Sequence, residues 1–275
     1  MSHPRPAPLV PVLAFVLGVS TLPLRRLLAL LVIPAAAWIA GCSDDEEPTE
    51  YTHAGSYAIT GFYISPFEGG HMSARVDRWT AKGGAAPAAS LRPSESLPLG
   101  LRVTLTPDDG SAPIELVGYG NTTTASGGGY QVSQGSFSDG RFFGYLSSPK
   151  GSGYCMGMAG TPDSIEVYLG TFSGDTLKGR WSLVAPDTAE HHPFPSATSF
   201  KGMAYDSANV FGTISLNGYY QPFDTAYQVW LDGFGPGTQG SNWSGSGTLT
   251  GDKSFASGTS AVGAWSATRY VPPAP

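Results

Sequence analysis

The sequence predicts an all-β protein, an antiparallel hairpin meander that closes as a barrel or packs as a two-sheet sandwich, after a helical N-terminal signal segment. Three observations predict it. From Ser56 onward no window keeps apolar residues at helical spacing. Short runs rich in Val, Ile, Tyr, Phe, Trp and Thr recur instead, broken by Gly, Pro, Asn and Asp. A hairpin module with two-residue turn signals also repeats along the chain.

In chain order the strand-like runs include "SYAITGFYI" from Ser56, "LGLRVTLT" from Leu99, "IELVGYG" from Ile114 and "YQVSQGSF" from Tyr130. "SIEVYLGTF" from Ser164, "NVFGTISL" from Asn209, "AYQVWLDGF" from Ala226 and "AWSATRYV" from Ala264 continue the series. Such spacing predicts roughly a dozen strands, far above the usual strand fraction. Two stretches, residues 81–98 and 185–199, read as long loops.

The repeated module appears as "GSFSDGRFFGYL" (135–146), "GTFSGDTLKGRW" (170–181), "GTISLNGYY" (212–220) and "GTLTGDKSF" (247–255). Asp139-Gly140 and Asn217-Gly218 suit type I′ turns, whereas Gly174-Asp175 and Gly251-Asp252 suit type II′. With Gly174 and Asp175 in the loop, Phe172 would face Leu177 and Gly170 would face Gly179. Alternation then puts Tyr168, Phe172, Leu177 and Trp181 on one face, and Thr171, Ser173, Lys178 and Arg180 on the other. In the first copy Phe137 would face Phe142, and Gly135 would face Gly144. Glycines on an apolar face need aromatic cover or mark a sharp bend. Glycine-rich, aromatic-punctuated hairpins of this kind resemble avidin-type and lipocalin-type barrels in style, with no motif carried over residue by residue. A further echo, "GFYISPFE" (61–68), "GYLSSP" (144–149) and "GYYQPFD" (218–224), records either duplication or a favoured way to end a strand.

Ahead of this domain lies "RRLLALLVIPAAAWIAGC", residues 25–42. Its apolar part is about half to two thirds of the ~20 residues a spanning helix needs, and Pro34 interrupts it. Two arginines, a brief apolar region and small closing residues form an export signal. Ile39, Ala40, Gly41 and Cys42 resemble the lipobox of bacterial lipoproteins. That resemblance covers the leader only. It implies a diacylglycerol on the Cys42 thiol, cleavage before Cys42 and acylation of the new amine, several chains together being a stable anchor. A second apolar stretch precedes the arginines, so Val19 is expected as an alternative start. The layout is then a signal peptide over 1–41, an acidic tether over 42–55 ("SDDEEPTEYTHAGS" after the cysteine) and one β domain over 56–275. Ser43 is not the aspartate that favours inner-membrane retention in enterobacterial lipoproteins, so the resemblance places the protein at the cell envelope, on the outer membrane where one exists.

All 21 acidic residues lie after Cys42, whereas Arg5, Arg25 and Arg26 of the 15 basic residues precede it, leaving a mature net charge of −9. That balance argues against nucleic acid as a partner class. Charged residues are only 13% of the chain, so the surface is largely small and hydroxylated. With Cys42 committed to lipid, Cys155 stands alone and the domain has no internal disulfide.

Chemistry is sparse. "GYCMG" around Cys155 matches a nucleophile elbow, but no strand–helix context accompanies it, and Cys155 reads as a small buried apolar residue. Glu190, His191 and His192 form the one cluster of metal-ligand types, without a recognised spacing. No catalytic set and no cofactor are expected. Glu166, Asp206, Asp224 and Asp232 lie on or near strands, yet no spacing selects a pair for glycoside hydrolysis. Tyrosines and tryptophans beside Gly, Ser and Asn suggest exposed stacking surfaces. Trp243, in "GSNWSGSG", with Trp230, Tyr219 and Tyr220, are the expected contacts for a neutral or weakly polar ligand, a glycan first and a small apolar ligand second. The leading reading is a lipid-anchored binding module without catalysis. An exported hydrolase on an all-β scaffold and a structural envelope component remain as alternatives.

Overall fold

The computed structural model describes residues 50–88, 90–91, 97–174, 178–186, 196–206, 213–234, 243–260 and 263–272. Residues 48–275 form one compact unit. Among the described residues the chain forms sixteen strands in two closed, wholly antiparallel barrels of eight strands each.

The first barrel runs β1 (Tyr51–Ile64), β2 (Gly69–Ala81), β3 (Leu99–Pro107), β4 (Ile114–Tyr119), β5 (Ala125–Gly127), β6 (Tyr130–Ser138), β7 (Arg141–Ser148) and β8 (Gly151–Ala159). It closes where β8 pairs with β1. The second runs β9 (Ile165–Ser173), β10 (Lys178–Pro186), β11 (Thr198–Asp206), β12 (Thr213–Phe223), β13 (Ala226–Phe234), β14 (Trp243–Leu249), β15 (Phe255–Ser260) and β16 (Gly263–Arg269). It closes where β16 pairs with β9. Each barrel is a simple meander, so strands that follow one another in sequence are neighbours in the sheet, with long connections between β2 and β3 and between β10 and β11. The sandwich alternative is excluded by closure, and sixteen strands replace the expected dozen. The extra ones include β2, β8 and β11, whose Gly, Ser and Met content carries little strand signal.

An eight-stranded barrel has an interior just wide enough for side chains to fill. Tyr168, Phe172, Trp181, Phe200, Leu216 and Trp265 fill the second, and the remaining interior space is about 10 Å³, room for one water at most. Ile59, Tyr63, Met72, Leu101, Val103 and Leu116 fill the first. Burying each such side chain contributes about 1.5–3 kcal/mol, which stands in for disulfides.

The β9–β10 hairpin has the predicted faces but not the predicted register. Ser173 pairs with Lys178, so the loop spans four positions and Gly170 faces Trp181 while Gly179 faces Phe172. Each glycine lies under a ring, since an added Cβ would come within 2.7 Å of Trp181 Nε1 at Gly170 and 2.8 Å of Phe172 Cζ at Gly179. Leu177 lies outside the described residues. In the β6–β7 hairpin Phe137 does face Phe142, around a turn with Asp139 at φ 51° and Gly140 at φ 71°. Gly135 does not pair with Gly144, because the register shifts between Ser133 and Ser136. Asn217-Gly218 is no turn but the middle of β12, which turns later, at Asp224. At β14–β15 the loop is longer than a II′ turn: Thr250 N bonds Phe255 O, and Asp252 accepts from Ser254 N at 3.0 Å and Thr250 Oγ1 at 2.6 Å. The Gly-aromatic-Pro echo marks strand ends, since 64, 148 and 223 each close a strand before a turn.

Residues 51–55, expected as tether, open β1 instead. Tyr51 pairs with Ala81, and His53 sits edge-on against Trp79 with its Nε2 3.1 Å from Asp77 Oδ1. The apolar contact with Trp79 and the carboxylate partner hold a stretch that polarity alone marks as loop.

The barrels are joined through 160–164 and pack side to side. Phe62, Ile64 and Met158 point outward from the first barrel and meet Ile165, Val167, Val184, Met203 and Tyr205 of the second. Arg180 donates to Asp108 at 2.8 Å across the junction, and His71 stacks on Tyr270 at 4.0 Å.

Candidate functional site: a groove between the barrels

The outward face of β11 to β13 follows from what faces in. On β11 Phe200 and Ala204 belong to the core, so Ser199, Lys201, Met203 and Tyr205 point out. On β12 Leu216 and Tyr220 point in, leaving Asn217 and Tyr219 outside. On β13 Val229 and Leu231 point in, leaving Trp230 and Asp232 outside. Register then aligns two rows across the three strands. One is Lys201, Asn217 and Asp232; the other is Ser199, Tyr219 and Trp230. Lys201 Nζ donates to Asn217 Oδ1. Tyr219 and Trp230 stack with centroids 4.7 Å apart.

The first barrel supplies the opposite wall. Its β6–β7 turn brings Asp139, Gly140 and Arg141, and β8 adds Met158 and Ala159. Between the walls lies an open groove of about 610 Å³, within the range of small-molecule sites. A hollow of about 150 Å³ shares Arg141, Met158 and Lys201 with it and is bordered by Phe143 and Met156. Beyond lie Tyr145 and Tyr154, paired across β7–β8 with rings 5.2 Å apart. Burial and the nearby Arg141 guanidinium hold the Lys201 ammonium below its usual range. Donors, acceptors and the Tyr219 ring therefore share one groove, with Trp230 stacked behind Tyr219 on the same outer face, a combination suited to a polyhydroxylated ring.

No family model, no curated protein and no solved structure matches this chain.

Of the sequence-predicted contacts, the structure brings Tyr219 and Trp230 together on the groove side. It separates Tyr220, which points into the barrel with 3% exposure because neighbours on a strand alternate faces. Its hydroxyl donates to Glu166 at 2.6 Å, and burial pushes its pKa up. Trp243 opens β14 opposite Gly233, and its side chain lies outside the described residues. Cys42 and the Glu190, His191 and His192 cluster also lie outside them. Among the described residues no group of three His, Cys, Asp or Glu side chains could hold a metal. Cys155 sits fully buried in mid-β8, where burial raises its thiol pKa well above the usual range.

The strand carboxylates are dispersed. Glu166 is fully buried at one end of the second barrel, accepting from Tyr168 at 3.0 Å and Lys253 at 2.7 Å, with Arg269 3.6 Å away. This is a buried carboxylate paired with two cations. Glu68 plays the same part in the first barrel, where it meets Tyr130 at 2.8 Å, Ser148 and Lys150. Asp224 occupies the β12–β13 turn, and Asp206 ends β11 with its side chain outside the described residues. Asp232 lines the groove.

Sequence reasoning missed Arg141, Lys201, Asn217 and Asp139 as groove residues. Lys201 left a signal: it is the charged member of the alternating set Ser199, Lys201, Met203 opposite the apolar set Phe200, Gly202, Ala204. Asn217 and Asp139 were legible only as turn formers.

Proposed function

We propose that this protein is an exported, lipid-anchored envelope module that binds a glycan in the groove between its two barrels. The row Lys201, Asn217, Asp232 beside the stacked pair Tyr219 and Trp230 carries the reading. It places hydroxyl-binding groups next to a ring face on rigid strands, where their spacing is held by the ladder. The lipobox resemblance at Cys42 supports the anchor, and it accounts for an acidic segment between the cysteine and the first strand.

The full chain in detergent micelles, screened against a glycan array and cell-wall polysaccharide, should bind, and binding should fall in Tyr219→Ala. Absence of binding to every glycan contradicts the reading. Incorporation of a labelled fatty acid, lost in Cys42→Ala, tests the anchor; an intact mature peptide spanning Gly41 and Cys42 contradicts it.

A second reading, hydrolysis, has one observation in its favour: Asp139 and Asp232 both line the groove. It predicts shortened products that disappear in Asp232→Asn. The binding reading predicts that the glycan is recovered intact.

A further inference from the structure

We infer that the groove selects a glycan bearing an anionic substituent, a carboxylate or phosphoryl group, held between Lys201 and Arg141. The inference rests on the glycan reading and narrows it. Lys201 comes from the second barrel and Arg141 from the first, and both line the groove and the adjoining hollow. Two cations are thus brought to one place by two separate sheets.

Among the described residues neither has a carboxylate within ion-pair distance: Lys201 donates to the neutral Asn217 amide, and Arg141 has no polar partner. Asp139 and Asp232 line the same groove, yet both are exposed, and water screens their charge. Lys201 is half-buried against Val184 and Met158. Arg141 is itself exposed and Lys201 half-buried, so solvent weakens the repulsion between the two cations without removing it. Burial and Arg141 both lower the Lys201 pKa, in keeping with two cations sharing this part of the groove. A carboxylate or phosphoryl oxygen there would gain charge-assisted hydrogen bonds from both walls at once. The neighbouring Tyr219 and Trp230 faces would take the sugar ring that carries it.

The test compares dissociation constants of the full chain in micelles for a neutral glucan, polygalacturonate, a glycerol-phosphate polymer and polyaspartate. The two acidic glycan classes separate carboxylate from phosphoryl as the source, and at least one should bind about tenfold tighter than the glucan, the scale of one charge-assisted contact. Lys201→Gln and Arg141→Gln should each bring that ratio toward one, with melting temperatures that show both variants folded. Equal binding of neutral and acidic glycans, or a ratio unchanged in both variants, overturns the inference and leaves glycan binding intact. Polyaspartate binding as tightly as the acidic glycans overturns it as well, since charge alone would suffice. Failure of all three glycans to bind overturns the glycan reading itself.

Discussion

Tyr219 faces Trp230 across the β12–β13 ladder, their rings stacked with planes inclined by 24°. Both side chains are half-buried on the outer wall of a barrel whose interior is already full. The stack therefore adds little that the core needs, and it presents an aromatic surface beside the polar row of the groove. Trp230→Ala should weaken glycan binding by about 0.5–1.5 kcal/mol, or roughly 2- to 12-fold, by analogy with aromatic pairs. Titration calorimetry on both proteins checks this. The melting temperature should move little.

Gly170 is a packing requirement of the second barrel. An added Cβ would lie 2.2 Å from Ser266 O and 2.7 Å from both Ala267 Cβ and Trp181 Nε1. Two of these belong to the ladder and one to the Trp181 indole, which donates to Thr171 O at 3.0 Å, so none yields cheaply. Gly170→Ala should destabilise toward the upper end of the about 1–3 kcal/mol typical of overpacking. Gly84→Ala, at an open turn with φ +89°, should cost less. Urea unfolding of the two variants gives the comparison.

These glycines also explain what the sequence could and could not disclose. Strand faces were legible because alternation of Tyr168, Phe172 and Trp181 against Thr171, Ser173 and Arg180 fixes which side is apolar. Sliding β10 by two residues keeps those faces, so alternation cannot distinguish the two registers. Size decides: pairing Gly170 with Gly179 would set two absent side chains opposite one another, whereas the observed register sets each under an aromatic ring. Gly218 behaves likewise, its Cβ position lying 2.5 Å from Phe200 Cζ, and for that reason Asn217-Gly218 mimicked a turn. Tyr219 and Trp230 were legible as surface aromatics. Their juxtaposition with Lys201, and all of the opposite wall, depends on register and on the packing of one barrel against the other, which short-range patterns do not encode.

Glu166 anchors a buried network. Glu166→Gln preserves an acceptor for the Tyr168 and Tyr220 hydroxyls but removes the carboxylate charge that Lys253 meets at 2.7 Å and Arg269 at 3.6 Å. Removing one partner of a buried pair costs about 3–5 kcal/mol, and the 18% exposure of Lys253 places this variant at the low end. Chemical denaturation at neutral pH reads the loss.

His71 should make stability depend on pH. Its ring is 4% exposed, Nε2 has no hydrogen-bond partner, and burial pushes its pKa down to about 4 from 6.5. The unfolded chain therefore binds the proton more readily between those values. The contribution is fully present above pH 6.5 and is lost as pH falls toward 4, by roughly 3 kcal/mol in total at 1.36 kcal/mol per unit. His71→Phe, which keeps a ring against Tyr270, should flatten the stability profile across that window.

The groove itself is tested most directly by amide chemical-shift mapping of the full chain in micelles, titrated with a glycan that binds. Shifts are expected on both walls together, at Arg141 and Met158 of the first barrel and at Lys201, Asn217, Tyr219 and Asp232 of the second, with the two barrel interiors unperturbed. Shifts confined to one barrel, or clustered at the exposed Phe67 in the turn after β1 and Phe223 at the end of β12, would place binding elsewhere than in the groove.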